Sequence, residues 1–147
     1  MRKIIFTAAM ALMSGMALAG PCDTTITGDD AMNFSIKNIT VPQTCKNFTV
    51  SFKHVGKMAK KAMGHNWVLV ETKDVNAVAA DGVKAGLEND YIKKGDSRII
   101  ASTRMLGSGE QASVSFEVSK LTAGKTYTFF CAFPGHSGLM RGTLKLN

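Results

Sequence analysis

Val114, Phe116 and Val118 alternate strictly with Ser113, Ser115 and Glu117. A period of two places the apolar set on one side of an extended chain, so this run reads as a half-buried strand and not as a helix. The same pattern recurs along the chain. Phe34 and Ile36, then Ile39 and Val41 after a shift, form one region; Phe48, Val50 and Phe52 share the face of the next. Tyr127, Phe129 and Cys131 share another, and Thr143–Leu146 closes the chain. Ile99–Ile100 lies in a further short run, and Trp67–Val70 is apolar throughout, as expected of a strand buried on both faces. Gly107–Ser108–Gly109 and Ala123–Gly124–Lys125 are turn sequences between these runs. Only Asp74–Leu87 reads as a helix, with Asp74 placed as N-cap and Val75, Val78, Ala79 and Val83 on one face; Gly82 and Gly86 weaken it. The expected fold is all-β: a Greek-key β-sandwich of about eight strands with one short helical insert.

The N-terminal residues 1–19 stand apart. Arg2 and Lys3 precede an apolar run that ends in Ala17–Leu18–Ala19, the layout of a cleaved export signal. The run is too short, and too broken by Ser14 and Gly15, for a membrane span. Export to the periplasm is expected, leaving residues 20–147 as one domain. The formal charge of +7 then falls by the two units of Arg2 and Lys3 to +5. The lysines are scattered apart from Lys57, Lys60 and Lys61, and no nucleic-acid motif accompanies them, so the charge is read as solubility with a bias toward acidic partners.

Three cysteines in an exported chain leave one over: Cys22, Cys45 and Cys131. Cys131 opens the segment Cys131-Ala-Phe-Pro-Gly-His136-Ser-Gly-Leu-Met140, which sets a thiolate, an imidazole and a thioether within one loop. Cys22 and Cys45 then form the disulfide expected in an oxidising compartment, closing a loop worth about 3 kcal/mol in the chain-entropy model. Pro134 and Gly135 exclude a helix through the segment, so it reads as a strand end followed by a tight loop. A second imidazole stands upstream in Met63-Gly64-His65-Asn66-Trp67. Two histidines, a cysteine and a weak methionine are the donor set of a blue-copper electron-transfer centre. Zinc would accept the first three, but it usually adds a stronger fourth ligand than a thioether. His54, the remaining histidine, has no metal-like neighbours and reads as structural.

These motifs, with Gly107-Ser-Gly-Glu110 and Thr128-Phe-Phe-Cys131, give residues 20–147 a resemblance to the azurins, a family of blue-copper cupredoxins. The resemblance implies that His65, Cys131 and His136 bind one copper ion, with Met140 and the Gly64 carbonyl as weak axial groups. It also implies that Asn66 and the Phe133 N–H hydrogen-bond the cysteine sulfur, and that Trp67 is the core tryptophan. An apolar patch of Met32, Met58, Met63, Phe133, Pro134 and Leu139 would surround the exit through His136, rimmed by Lys57, Lys60 and Lys61. Val55, Ala59 and Ser102 depart from residues common in the family, and none is a ligand. The implied function is one-electron carriage, without enzymatic activity. Partners would be redox proteins such as c-type cytochromes, copper or haem reductases and peroxidases, met by a monomer. A copper-delivery protein, a copper enzyme with a second metal site and a metal-free binding module are the competing readings.

Overall fold

The computed structural model describes residues 21–147; the expected signal segment 1–19 lies outside the described residues. Among the described residues, eight strands form two sheets: β1 (Asp23–Gly28), β2 (Asn38–Val41), β3 (Asn47–His54), β4 (Val68–Glu71), β5 (Ile99–Ser102), β6 (Gln111–Glu117), β7 (Tyr127–Phe130) and β8 (Arg141–Leu146). One sheet has the order β1-β3-β6 and the other β2-β8-β7-β4-β5. β1 pairs with β3, and β2 with β8, in parallel; the remaining pairs are antiparallel.

The alternating pattern sets the register. Phe48 faces Phe116, Val50 faces Val114 and Phe52 faces Ala112 across β3 and β6, so one side of this pair is apolar. The other side is lined by hydroxyls, with Ser51 and Ser113 hydrogen-bonded at 3.0 Å. The apolar faces of the two sheets close on a shared core containing Ile26, Phe34, Val41, Phe52, Trp67, Leu69, Phe129 and Leu144. Trp67 is fully buried and stacks on Phe129, with its indole N–H unpaired among the described residues. Burial of so large an apolar body outweighs the cost of one orphan donor, about 1–3 kcal/mol. Cys22 and Cys45 are joined as a disulfide, and the Thr49 N–H donates to the Cys22 carbonyl at 3.0 Å. The bridge therefore ties together the starts of the neighbouring strands β1 and β3.

The unbroken apolar run in β4 follows from cover on both faces. Trp67 and Leu69 point into the sandwich, whereas Val68 and Val70 meet Val75, Val78, Phe130 and Ala132 beneath a helix, α2 (Val75–Ala85). Asp74 precedes α2 as expected, though its side chain makes no capping hydrogen bond. Val83 was expected on the buried face and instead is 51% exposed. The stripe runs through Val75, Val78 and Gly82, at offsets of three and four, which puts Val83 one step around the helix. Gly82 has its own reason: a side chain there would strike the Tyr91 carbonyl. Gly86 ends the helix with φ of +76°, a conformation that favours glycine.

Other expectations shift in detail. β1 is an element that the apolar pattern alone did not reveal, because Thr24, Thr25 and Thr27 flank a single Ile26; its β-branched composition is the available signal. The region around Phe34 contributes only a bridge to Gly28, and the strand proper begins at Asn38. A single helical turn, α1 (Lys60–Met63), precedes Gly64.

Candidate metal centre

Sheet topology brings the ligand segments together. β7 lies between β4 and β8, antiparallel to both. Pairing of Val68 with Phe130 sets the residues before β4 beside those after β7, and pairing of Phe130 with Arg141 sets the residues before β8 there too. His65, Cys131 and Met140 therefore meet at one end of one sheet. The fourth residue is swung back by a turn. Pro134 and Gly135 occupy its two central positions, Gly135 has φ of +83°, and the His136 N–H closes it onto the Phe133 carbonyl at 3.0 Å. Proline fixes the first of these positions, and glycine supplies the positive φ that the second requires.

His65, Cys131 and His136 are all buried, and their donor atoms lie within 4.8 Å of one another. The Cys131 sulfur is 3.5 Å from Nδ1 of His136 and 3.8 Å from Nδ1 of His65. It is also 3.8 Å from the Gly64 carbonyl oxygen. Met140 is fully buried, and a Cβ on Gly28 would come within 2.7 Å of its methyl group. Its backbone closes the loop: the Cys131 N–H donates to the Met140 carbonyl at 3.0 Å, and the Met140 N–H to the His136 carbonyl at 2.8 Å. Gly64 is required where it stands, since a Cβ would come within 2.6 Å of the Lys60 carbonyl and 3.0 Å of the Met105 sulfur.

Surrounding groups orient these donors. Nε2 of His65 donates to the Asp29 carbonyl at 2.8 Å, which leaves Nδ1 free to face the sulfur. The backbone N–H groups of Asn66 and Phe133 face the Cys131 sulfur and oppose the rise that burial imposes on its thiol. The Asn66 side chain accepts from the Ala132 N–H at 2.8 Å and donates to the Asp90 carbonyl at 2.9 Å. His54 is fully buried; its Nδ1 accepts from the Gly56 N–H at 3.1 Å, so Nε2 donates to the Met63 carbonyl at 2.8 Å. The roles of Asp29 and His54 were not legible in the sequence, because one acts through a backbone carbonyl and the other stacks its ring on that of His65.

Burial decides the protonation of the metal-free site. It pushes the Cys131 thiol up to about 12, against the opposing effect of its two N–H donors. It lowers His136 to about 4, with help from His65, and lowers His65 as well. The site thus presents neutral imidazoles and a thiol that only a cation can readily convert to thiolate. A soft cation answers this buried arrangement of one sulfur and two imidazole nitrogens.

The copper-binding protein family of plastocyanin and azurin matches residues 21–147. The chain belongs to the azurin family. It is 55% identical over 139 residues to the azurin of Bordetella pertussis, covering 95% of this chain and 93% of that one. It is 49% identical over 146 residues to the azurin of Pseudomonas aeruginosa, covering 99% of both. The solved structure of an azurin (Az-iso2) from the obligate methylotroph Methylomonas sp. strain J superposes with a TM-score of 0.84 at 49% identity, covering 87% of this chain and 99% of that one. Copper is therefore the cofactor, and the function shared with these azurins is that of a blue-copper electron carrier. Among the described residues, no helix is long and apolar enough to cross a membrane.

Proposed function

We propose that this azurin is a periplasmic one-electron carrier that shuttles electrons between redox proteins and performs no bond-making chemistry. The observation that carries the reading is the convergence of the donor atoms of His65, Cys131 and His136 within 4.8 Å in a buried position. In this reading His65, Cys131 and His136 would hold the copper, with Met140 and the Gly64 carbonyl as weaker donors beside them. Copper, when bound, supplies a one-electron couple. The chain supplies rigidity: His65 is fixed by Asp29, Cys131 by two N–H donors, and the loop from Cys131 to Met140 by its own backbone bonds. Ligands already held in place have little distance to move on electron gain or loss, which favours a low barrier to transfer. Pro134 cannot add a further donor to the sulfur, because it has no N–H.

The electron route leaves through His136, which is 4% exposed amid an apolar surface. Leu139 is 66% and Met58 42% exposed there, Pro134 is exposed, and Met32, Met63 and Phe133 are half-buried. A small apolar face permits the brief contacts of redox exchange. Of the three lysines on its rim, Lys60 is paired with Glu110 at 3.2 Å, so Lys57 and Lys61 are the ones available to steer an acidic partner. Residues 20–147 act as the mature domain, and the partners are redox proteins of the cytochrome c, reductase or peroxidase type.

The deciding experiment is a visible absorption spectrum of residues 20–147 after one equivalent of copper(II). An intense blue band that bleaches on reduction and returns on oxidation is expected. A colourless product would mean that Cys131 does not bind copper.

A further inference from the structure

Asp90 and Tyr91 are consecutive non-glycine residues with positive φ, +55° and +53°. Backbone in this region is uncommon outside glycine and costs about 1–3 kcal/mol per residue, so its surroundings must impose it. Both ends of the pair are tied to the metal centre. The Asp90 carbonyl accepts from the Asn66 side chain at 2.9 Å, and that side chain in turn accepts from the Ala132 N–H at 2.8 Å. The Asp90 carboxylate accepts from the Met105 N–H at 2.8 Å, and Met105 lies against Gly64. The Tyr91 ring meets the Phe133 ring edge-on at 5.4 Å, and Phe133 in turn packs on His136 at 4.6 Å. Behind the pair, the Tyr91 N–H donates to the Gly86 carbonyl at 3.0 Å, and the Tyr91 carbonyl lies over Gly82 where any side chain would obstruct it. The two chain segments gripped by this pair carry Asn66 and Phe133, whose N–H groups face the Cys131 sulfur and favour its charged form.

We infer that Asp90 and Tyr91 are positioning residues for the copper centre, a clamp that sets both N–H···S hydrogen bonds at once and so tunes the redox potential. This rests on the copper reading above. The clamp is a tertiary device: Asp90 and Tyr91 sit in the connection after α2, and neither touches the donor atoms. Its effect has a definite sign. Electron gain leaves more negative charge on the sulfur, and N–H donors stabilise that charge, so firm donation favours the reduced state. Loosening the clamp lowers the potential.

The test compares Asp90→Ala and Tyr91→Leu with the conservative Asp90→Asn and Tyr91→Phe. Asparagine tolerates the left-handed region and keeps an acceptor; phenylalanine keeps the ring edge. In Asp90→Ala and Tyr91→Leu, the ratio of reduced to oxidised copper protein at a fixed poise should fall several-fold. A tenfold fall corresponds to about 59 mV for one electron. The sulfur-to-copper absorption band should shift in the same variants, and both readouts should return in Asp90→Asn and Tyr91→Phe. In the metal-free protein, the amide protons of Ala132 and Phe133 should exchange faster in the first two variants than in the last two. Unchanged potential, band and exchange in a destabilised variant would overturn the inference and leave the pair a purely structural turn. If Asp90→Ala does not fold, Tyr91→Leu decides alone. A wild-type protein without a blue band would instead remove the copper reading on which the clamp depends.

Discussion

The ring of His54 lies flat against the ring of His65, with centroids 4.5 Å apart and planes 15° from parallel. One side of the proposed copper ligand is thus backed by a buried imidazole whose own nitrogens are both committed, to Gly56 and to Met63. Replacing His54 with leucine should leave the Gly56 N–H and the Met63 carbonyl without partners. The expected cost is about 2–4 kcal/mol, read as a lower urea midpoint. The blue band should persist, since His54 donates nothing to the metal. A band lost along with the stability would show that His54 does more than back its neighbour.

Copper binding should release a single proton per ion at pH 7. Burial holds the Cys131 thiol protonated up to about 12, while His136, lowered to about 4, has already lost its proton. Titration of copper(II) into weakly buffered metal-free protein with a pH indicator measures this directly. Apparent affinity should rise about tenfold per pH unit over the neutral range, and more steeply below about pH 4 where His136 also holds a proton. Release of two or three protons would mean that the imidazoles are charged in the metal-free site. The same shift affects folding. His136 titrates lower folded than unfolded, so its stabilisation is present above the ordinary value of 6.5 and is lost as pH falls toward about 4. The melting temperature of the metal-free protein should fall over that interval.

Leu139 is the most exposed of the large apolar side chains among the described residues, at 66%. A lysine there would set like charges against each other when two copies meet through this face. Electron self-exchange, measured by magnetic-resonance line broadening, should slow by about tenfold or more at low ionic strength and recover partly as salt screens the repulsion. The absorption spectrum should not change. Exchange at the wild-type rate would place the electron route elsewhere.

Arg98 joins α2 to the segment before β5: its guanidinium donates to Asp81 at 2.6 Å and to Asp96 at 2.8 Å. The Asp96 side chain is only 4% exposed, and Arg98 holds its carboxyl below the usual carboxylate range. Arg98→Ala should leave the Asp96 carboxylate without its ion partner and lower the midpoint of thermal or chemical denaturation. In the native protein, the Asp96 stabilisation is present above the ordinary carboxylate value and is lost as pH falls through its lower folded value. Acid unfolding should therefore begin at a higher pH in the variant.

The sequence by itself determined the sandwich and the chemistry of its centre. Alternation such as Val114, Phe116 and Val118 is local and directly encodes a one-sided strand, and the Cys131–Met140 loop carries its own turn in Pro134 and Gly135. Cys22 and Cys45 followed from counting thiols. Only the tertiary structure decided what had no local signature. β1 was hidden because its threonines gain a strand's identity by pairing with β3. Val83 faced outward because helical phase, set by where Gly82 admits the Tyr91 backbone, cannot be read from apolar spacing alone. Lys60 was counted among the free rim charges until the fold brought Glu110 to it. Asp29, His54, Asp90 and Tyr91 act on the centre through carbonyls, ring stacking and left-handed backbone. Such contacts depend on where distant segments are brought to rest, so residue type gives no sign of them in the chain.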